Sequence, residues 1–251
     1  MATVDRKLVK NYFTRVFPKW AILLAIVGIL VLMGSPVFGI ILLAIAGAGM
    51  YFQYFGKTAA TDQQVDEAIR IDCQAAIERG RDKVGIVAEM ELKEPILITG
   101  AYYKYVNKDT KLMYKRGADG KLRFSLGQVT VFYITEHQVY CYTRIVDFTN
   151  GDTFSETTDE YFYRDIVSVA TLSEKVQITD SKGNPVFNKK TKEQEIHDVE
   201  VFKLTTSGGT SISAYIQDRT AMKERKGSMD ISKVEEQIKA MRNILREKKV
   251  G

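Results

Sequence analysis

Between Trp20 and Phe55 the chain runs for 36 residues without a single Asp, Glu, Lys, Arg or His. A lipid hydrocarbon core about 30 Å thick is crossed by roughly 20 apolar residues in a helix. At ~1.5 Å per residue, one straight helix through the whole stretch would be ~54 Å long, more than one crossing needs. Gly34-Ser35-Pro36 interrupts it near the middle. Proline has no N–H to donate and disfavours helix in the residue before it. The pattern therefore predicts a transmembrane helical hairpin over 20–55, with arms Trp20–Met33 and Val37–Phe55. A single tilted span from Pro36 to Phe55, with Trp20–Met33 re-entrant, is the alternative.

Charge is distributed around this stretch. Of 36 basic and 31 acidic residues, six cations and one acid fall in the first 57 positions, so the remainder cancels. The six are Arg6, Lys7, Lys10, Arg15, Lys19 and Lys57, set against Asp5 alone. Cations flanking an apolar span are drawn to the cytoplasmic leaflet and to anionic lipid. They are expected to be membrane-surface residues of a multi-pass protein in the cell inner membrane, with both termini cytoplasmic. The near-neutral remainder argues against a nucleic-acid partner. Residues 1–19 are too polar, and the apolar run too long, for a cleavable leader. Cys73 and Cys141 are far apart and lack CxxC spacing, which suits reduced thiols.

Within 1–19, Leu8, Val9, Tyr12, Phe13, Val16 and Phe17 recur at helical spacing among cations, as in a helix lying at a lipid surface. In the hairpin, Gly28 of the first arm and Ala44, Gly47 and Gly49 of the second are small enough to let backbones approach. Residues 56–94 read as a linker containing a helix from Thr61 to Val84, its apolar stripe formed by Val65, Ala68, Ile69, Cys73, Ala76 and Ile77. From Pro95 the period changes to two. Short runs separated by Gly-, Asn- and Asp-rich turns predict an antiparallel β domain over 95–228. In Gln128–Thr135, Val129, Val131 and Tyr133 alternate with Thr130, Phe132 and Ile134, which suits a strand covered on both faces. Residues 229–251 form a last helix whose seam is Ile231, Val234, Ile238, Met241 and Leu245, expected to close the β structure. The expected fold class is thus a membrane-anchored α+β protein with an antiparallel sandwich or barrel and a C-terminal closing helix.

Four segments, in this order, resemble bacterial pleckstrin-homology-like (PH-like) domains. They are Val129–Tyr142 (VTVFYITEHQVYCY), Tyr161–Val169 (YFYRDIVSV), Phe202–Ile216 (FKLTTSGGTSISAYI) and Ile238–Lys249 (IKAMRNILREKK). The resemblance spans about half the chain, from Arg123 to Lys249. Asp180–Val199 is longer and more polar than the pattern needs, and Pro95–Lys121 falls outside it. Such domains commonly sit beside membrane helices, which implies a binding or assembly module without catalytic residues. The basic first loop of phosphoinositide-binding relatives has no counterpart here, so that activity is not implied.

No metal or nucleotide motif is present: HExxH, GxGxxG, GxxxxGK[ST] and GxSxG are all missing, and the two histidines, His137 and His197, lie at no metal spacing. No cofactor and no enzymatic activity are therefore expected. The expected function is a membrane-tethered, non-catalytic scaffold or interaction module that binds a partner or self-assembles. Its partners would be membrane lipid, another membrane or cytoplasmic protein, or further copies of itself. The alternative is a subunit of an oligomeric pore or transport complex.

Overall fold

A computed structural model describes residues 4–14, 19–55, 59–188 and 191–250, with the side chains of 52–55 and 249–250 outside the description. The chain divides into two compact units, Met1–Val65 and Asp66–Gly251.

The first unit begins with α1 (Arg6–Phe13), whose N-terminus is capped by the Asp5 carboxylate accepting from the Lys7 N–H at 2.9 Å. Val9 and Tyr12 are buried on its inner face, and the Tyr12 hydroxyl donates to Asp62 at 2.6 Å. Next come α2 (Lys19–Leu32) and α3 (Pro36–Phe55), an antiparallel pair joined by a tight turn. Pro36 opens α3, the one helical position where a missing N–H costs nothing. The helices approach at small residues. A side chain at Gly28 would press on Leu42 and Leu43, one at Gly39 on the Leu32 backbone, and one at Gly49 on the Trp20 ring.

The expectation of membrane crossing is corrected here. Among the described residues, no helix is long and apolar enough to cross a membrane. α2 has only 14 residues, about 21 Å at helical rise. The described side chains of α3 end at Tyr51, about 24 Å from its start. The break at Gly34-Ser35-Pro36 divides one long apolar run into two helices, and among the described residues neither qualifies as a span. Transmembrane helices and a multi-pass inner-membrane location are withdrawn with it, and the architecture that stands is α+β with antiparallel sheets.

The junction between the units falls within α4 (Asp62–Val84). Its start is a capping box: Thr61 Oγ1 accepts from the Gln64 N–H at 3.3 Å, and Gln64 Oε1 accepts from the Thr61 N–H at 2.9 Å. Among the described residues the second unit has three antiparallel sheets. One has four strands in the order β1 (Ile96–Ala101), β4 (Leu126–Ile134), β5 (Gln138–Asp147), β6 (Asp152–Phe162). A small hairpin, β2 (Tyr114–Arg116) and β3 (Leu122–Phe124), is inserted after β1. The third sheet is β7 (Ile166–Gln177), β8 (Ile196–Thr206) and β9 (Ser211–Asp218). A short helix, α5 (Arg219–Arg225), and a 19-residue one, α6 (Ser232–Val250), follow the last strand.

The alternation in β4 accounts for the layering. Val129, Val131 and Tyr133 pack with Cys73 and Ala76 of α4, whereas Phe132 and Ile134 face an inner core shared with β7–β9 and α6. Both faces of the strand are buried. Gly80 of α4 lies against the Tyr133 and Tyr142 rings, and Tyr133 donates its hydroxyl to the Ile77 carbonyl at 2.6 Å. Of the expected seam on α6, Ile238, Met241 and Leu245 are buried in the inner core, and Ile231 and Val234 pack at its margin. The sheets meet where Gly100 of β1 lies against the Tyr215 carbonyl of β9, a closeness that excludes a Cβ. Ile166–Gln177 forms one continuous strand, β7, and α5 follows β9 directly.

Candidate functional site

In the first unit the hairpin turns apolar side chains outward on most sides. Trp20, Leu23, Ile26, Leu30, Val37, Phe38 and Ile40 are all exposed, and Met33 at the turn is 90% exposed. A stretch with no formal charge thus offers a continuous apolar surface. Soluble monomers rarely expose such patches beyond a few hundred Å² without a partner. Of the flanking cations, Lys7, Lys10 and Lys19 are exposed and Arg6 is half-buried, while Arg15 and Lys57 lie outside the described residues. Of the small residues, Gly28 and Gly49 lie at the interhelical contact, whereas Gly47 has open space where a Cβ would be. Ala44 is exposed on α3.

The second unit contains a buried polar cluster that motif reading passed over. Asp218, at the end of β9, is 1% exposed and is the N-cap of α5, accepting from the Ala221 N–H at 2.8 Å through Oδ1. Its Oδ2 lies 2.6 Å from His197 Nδ1 and accepts from the hydroxyls of Tyr114 at 2.5 Å and Tyr103 at 3.0 Å. Because an ionised carboxylate only accepts, Nδ1 is the protonated nitrogen of His197. The Tyr114 ring stacks on the imidazole with centroids 6.0 Å apart, and the Tyr103 ring is tilted against it at 5.7 Å. Burial by itself would raise the Asp218 carboxyl. The hydrogen bonds from His197, the Ala221 N–H and Tyr114 outweigh it, and the pKa falls below the ordinary value. Burial drives both tyrosines well above theirs.

Family models, curated proteins and solved structures offer no match to this chain. Its chemistry must be judged from the geometry.

An Asp–His pair serves catalysis when the second imidazole nitrogen reaches a nucleophile or substrate. Here the His197 side chain is 10% exposed and lies between two tyrosine rings, and its carboxylate is saturated by three side-chain donors and one amide. The cluster joins the end of β9, the start of α5, β8, β2 and the segment after β1. That is the work of a structural tie. His137 is exposed in the turn between β4 and β5. Cys73 and Cys141 are free and buried, and burial raises the Cys73 thiol to about 11, leaving little thiolate at neutral pH. Among the described residues no group of three potential metal ligands occurs.

Proposed function

We propose that this chain is a non-catalytic attachment and scaffolding module, in which the hairpin docks on lipid and the β unit presents binding surface. The supporting observation is the uncharged, outward-facing apolar surface of α2 and α3. Transferring apolar area from water contributes about 25 cal/mol per Å², which favours covering this surface. Lipid matches the surface chemically: it needs no specific polar contacts, and the hairpin carries no Asp, Glu, Lys, Arg or His between Trp20 and Phe55. Exposed Lys7, Lys10 and Lys19 add attraction to anionic headgroups, worth roughly 1 kcal/mol each near such a surface. The contact proposed is adsorption to the lipid surface.

The arrangement of the second unit supports a PH-like scaffold. If the inserted β2–β3 hairpin is set aside, four antiparallel strands precede three, and a helix packs on the core they share. Open space at Gly47 favours a second reading, self-association of α3 through its small-residue face. Flotation of the full chain with liposomes tests the proposal. Co-flotation with anionic liposomes, weakened by Leu30→Asp with Phe38→Asp, is expected. A chain that stays at the bottom of the gradient as a defined oligomer would contradict lipid docking and support self-association.

A further inference from the structure

Among the edge strands of the second unit, β6 and β7 are treated differently by the sequence. β6 pairs only with β5, and β7 only with β8, among the described strands. Open edges offer unpaired backbone groups to any extended chain, and proteins usually blunt them with charge. β6 is blunted: Asp152, Glu156, Asp159 and Glu160 lie along it, nearly all of it exposed. The first seven residues of β7, Ile166–Leu172, carry no charge, and the first charged positions are Glu174 and Lys175. Val167 is 55% exposed.

Beside this uncharged half lies a groove of about 400 Å³ between β7 and α6, floored by Ile166, Val167, Val169 and Leu245 and walled by Arg242 and Arg246. It contains no acidic side chain. Arg242 is steadied by donating to Thr171 Oγ1 at 2.8 Å, and Arg246 is exposed. A separate cavity on the other side of Arg242 and Arg246 is lined by Glu200, Glu235 and Lys239, with Glu200 held by Gln217 and Arg219. The structure thus juxtaposes an uncharged strand edge, bulged at Val167, with an apolar floor and two guanidiniums on one helix. Strand addition draws affinity from main-chain hydrogen bonds and specificity from pockets for alternate side chains.

We propose that Ile166–Leu172 with the facing side of α6 docks an extended acidic peptide segment of a protein partner. The segment adds to β7, its apolar side chains entering the groove and its carboxylates meeting Arg242 and Arg246. An edge of this length takes about six residues. The inference deepens the reading of the β unit as a binding platform and is independent of the hairpin's attachment to lipid.

The probe is a fluorescein-labelled synthetic peptide of alternating Val and Glu, compared with its Val–Lys counterpart, titrated into the full chain in mild detergent. Saturable binding of the Glu peptide is expected, with the Lys peptide at least about tenfold weaker. Arg246→Glu should weaken the Glu peptide by about tenfold, and Arg246→Lys should retain most of the binding. Because Arg246 is exposed, neither change threatens folding. Amide exchange should slow within Ile166–Leu172 on binding. Equal affinity for both peptides, indifference to Arg246→Glu, or slowed exchange confined to β6 would overturn the proposal. Loss of peptide binding with liposome flotation intact would contradict this site alone.

Discussion

Asp218 shows how one residue can organise several elements. A buried carboxylate is tolerated only when its lone pairs are filled, and here His197, Tyr103, Tyr114 and the Ala221 amide fill them. Asp218→Asn exchanges a charged acceptor for a neutral one that must turn an NH₂ toward other donors. It should cost about 2 kcal/mol, read as a lower urea midpoint at neutral pH. The pH dependence has a definite sign. A carboxyl depressed in the folded state stabilises above its unfolded pKa of about 3.9 and loses that contribution as pH falls through its folded value. The wild-type chain should therefore lose stability on acidification below about pH 4, and Asp218→Asn should flatten that part of the curve. A variant with the wild-type acid profile would remove Asp218 from the account. This cluster could not be read from motifs, because a bulge sets it. The tight turn at Ser207-Gly208-Gly209 pairs Thr205 with Ser211, and simple continuation would place Asp218 opposite Asp198. The shift between Glu200 and Val201 places it opposite Val199 instead, on the face of His197. Nothing in the local composition announces that extra residue.

At the scale of elements, the period of two in β4 was legible because each face has a different customer. Val129, Val131 and Tyr133 meet α4; Phe132 and Ile134 meet the inner core. The stripe of α6 was legible for the same reason. The length of β7 was not, since Ser173, Glu174 and Lys175 look like a break, whereas Ser173 and Lys175 are exposed and Glu174 half-buried on a continuous edge strand. Gly80 separates two effects on α4. Alanine there gains up to about 1 kcal/mol of helix propensity. Its Cβ would also collide with Tyr133, whose hydroxyl is committed to Ile77. Overpacking of this kind costs about 1–3 kcal/mol, so Gly80→Ala should destabilise in thermal or urea unfolding. An increase in stability would show that the Tyr133 and Tyr142 rings yield freely.

Across the whole molecule, the strongest sequence signal was also the one most in need of correction. An uncharged run of 36 residues predicts a pair of crossings, but the break at Gly34-Ser35-Pro36 divides it between a 14-residue helix and a second helix, and among the described residues neither qualifies. What survives is the surface chemistry, an apolar hairpin without charge. Trp20, the single tryptophan of the chain, stands at the start of that hairpin, 53% exposed and packed over Gly49. Its fluorescence in the presence of liposomes carrying brominated acyl chains is the most direct test. Docking on lipid predicts strong quenching of Trp20 by brominated but not by unbrominated vesicles; emission unchanged between the two would contradict it.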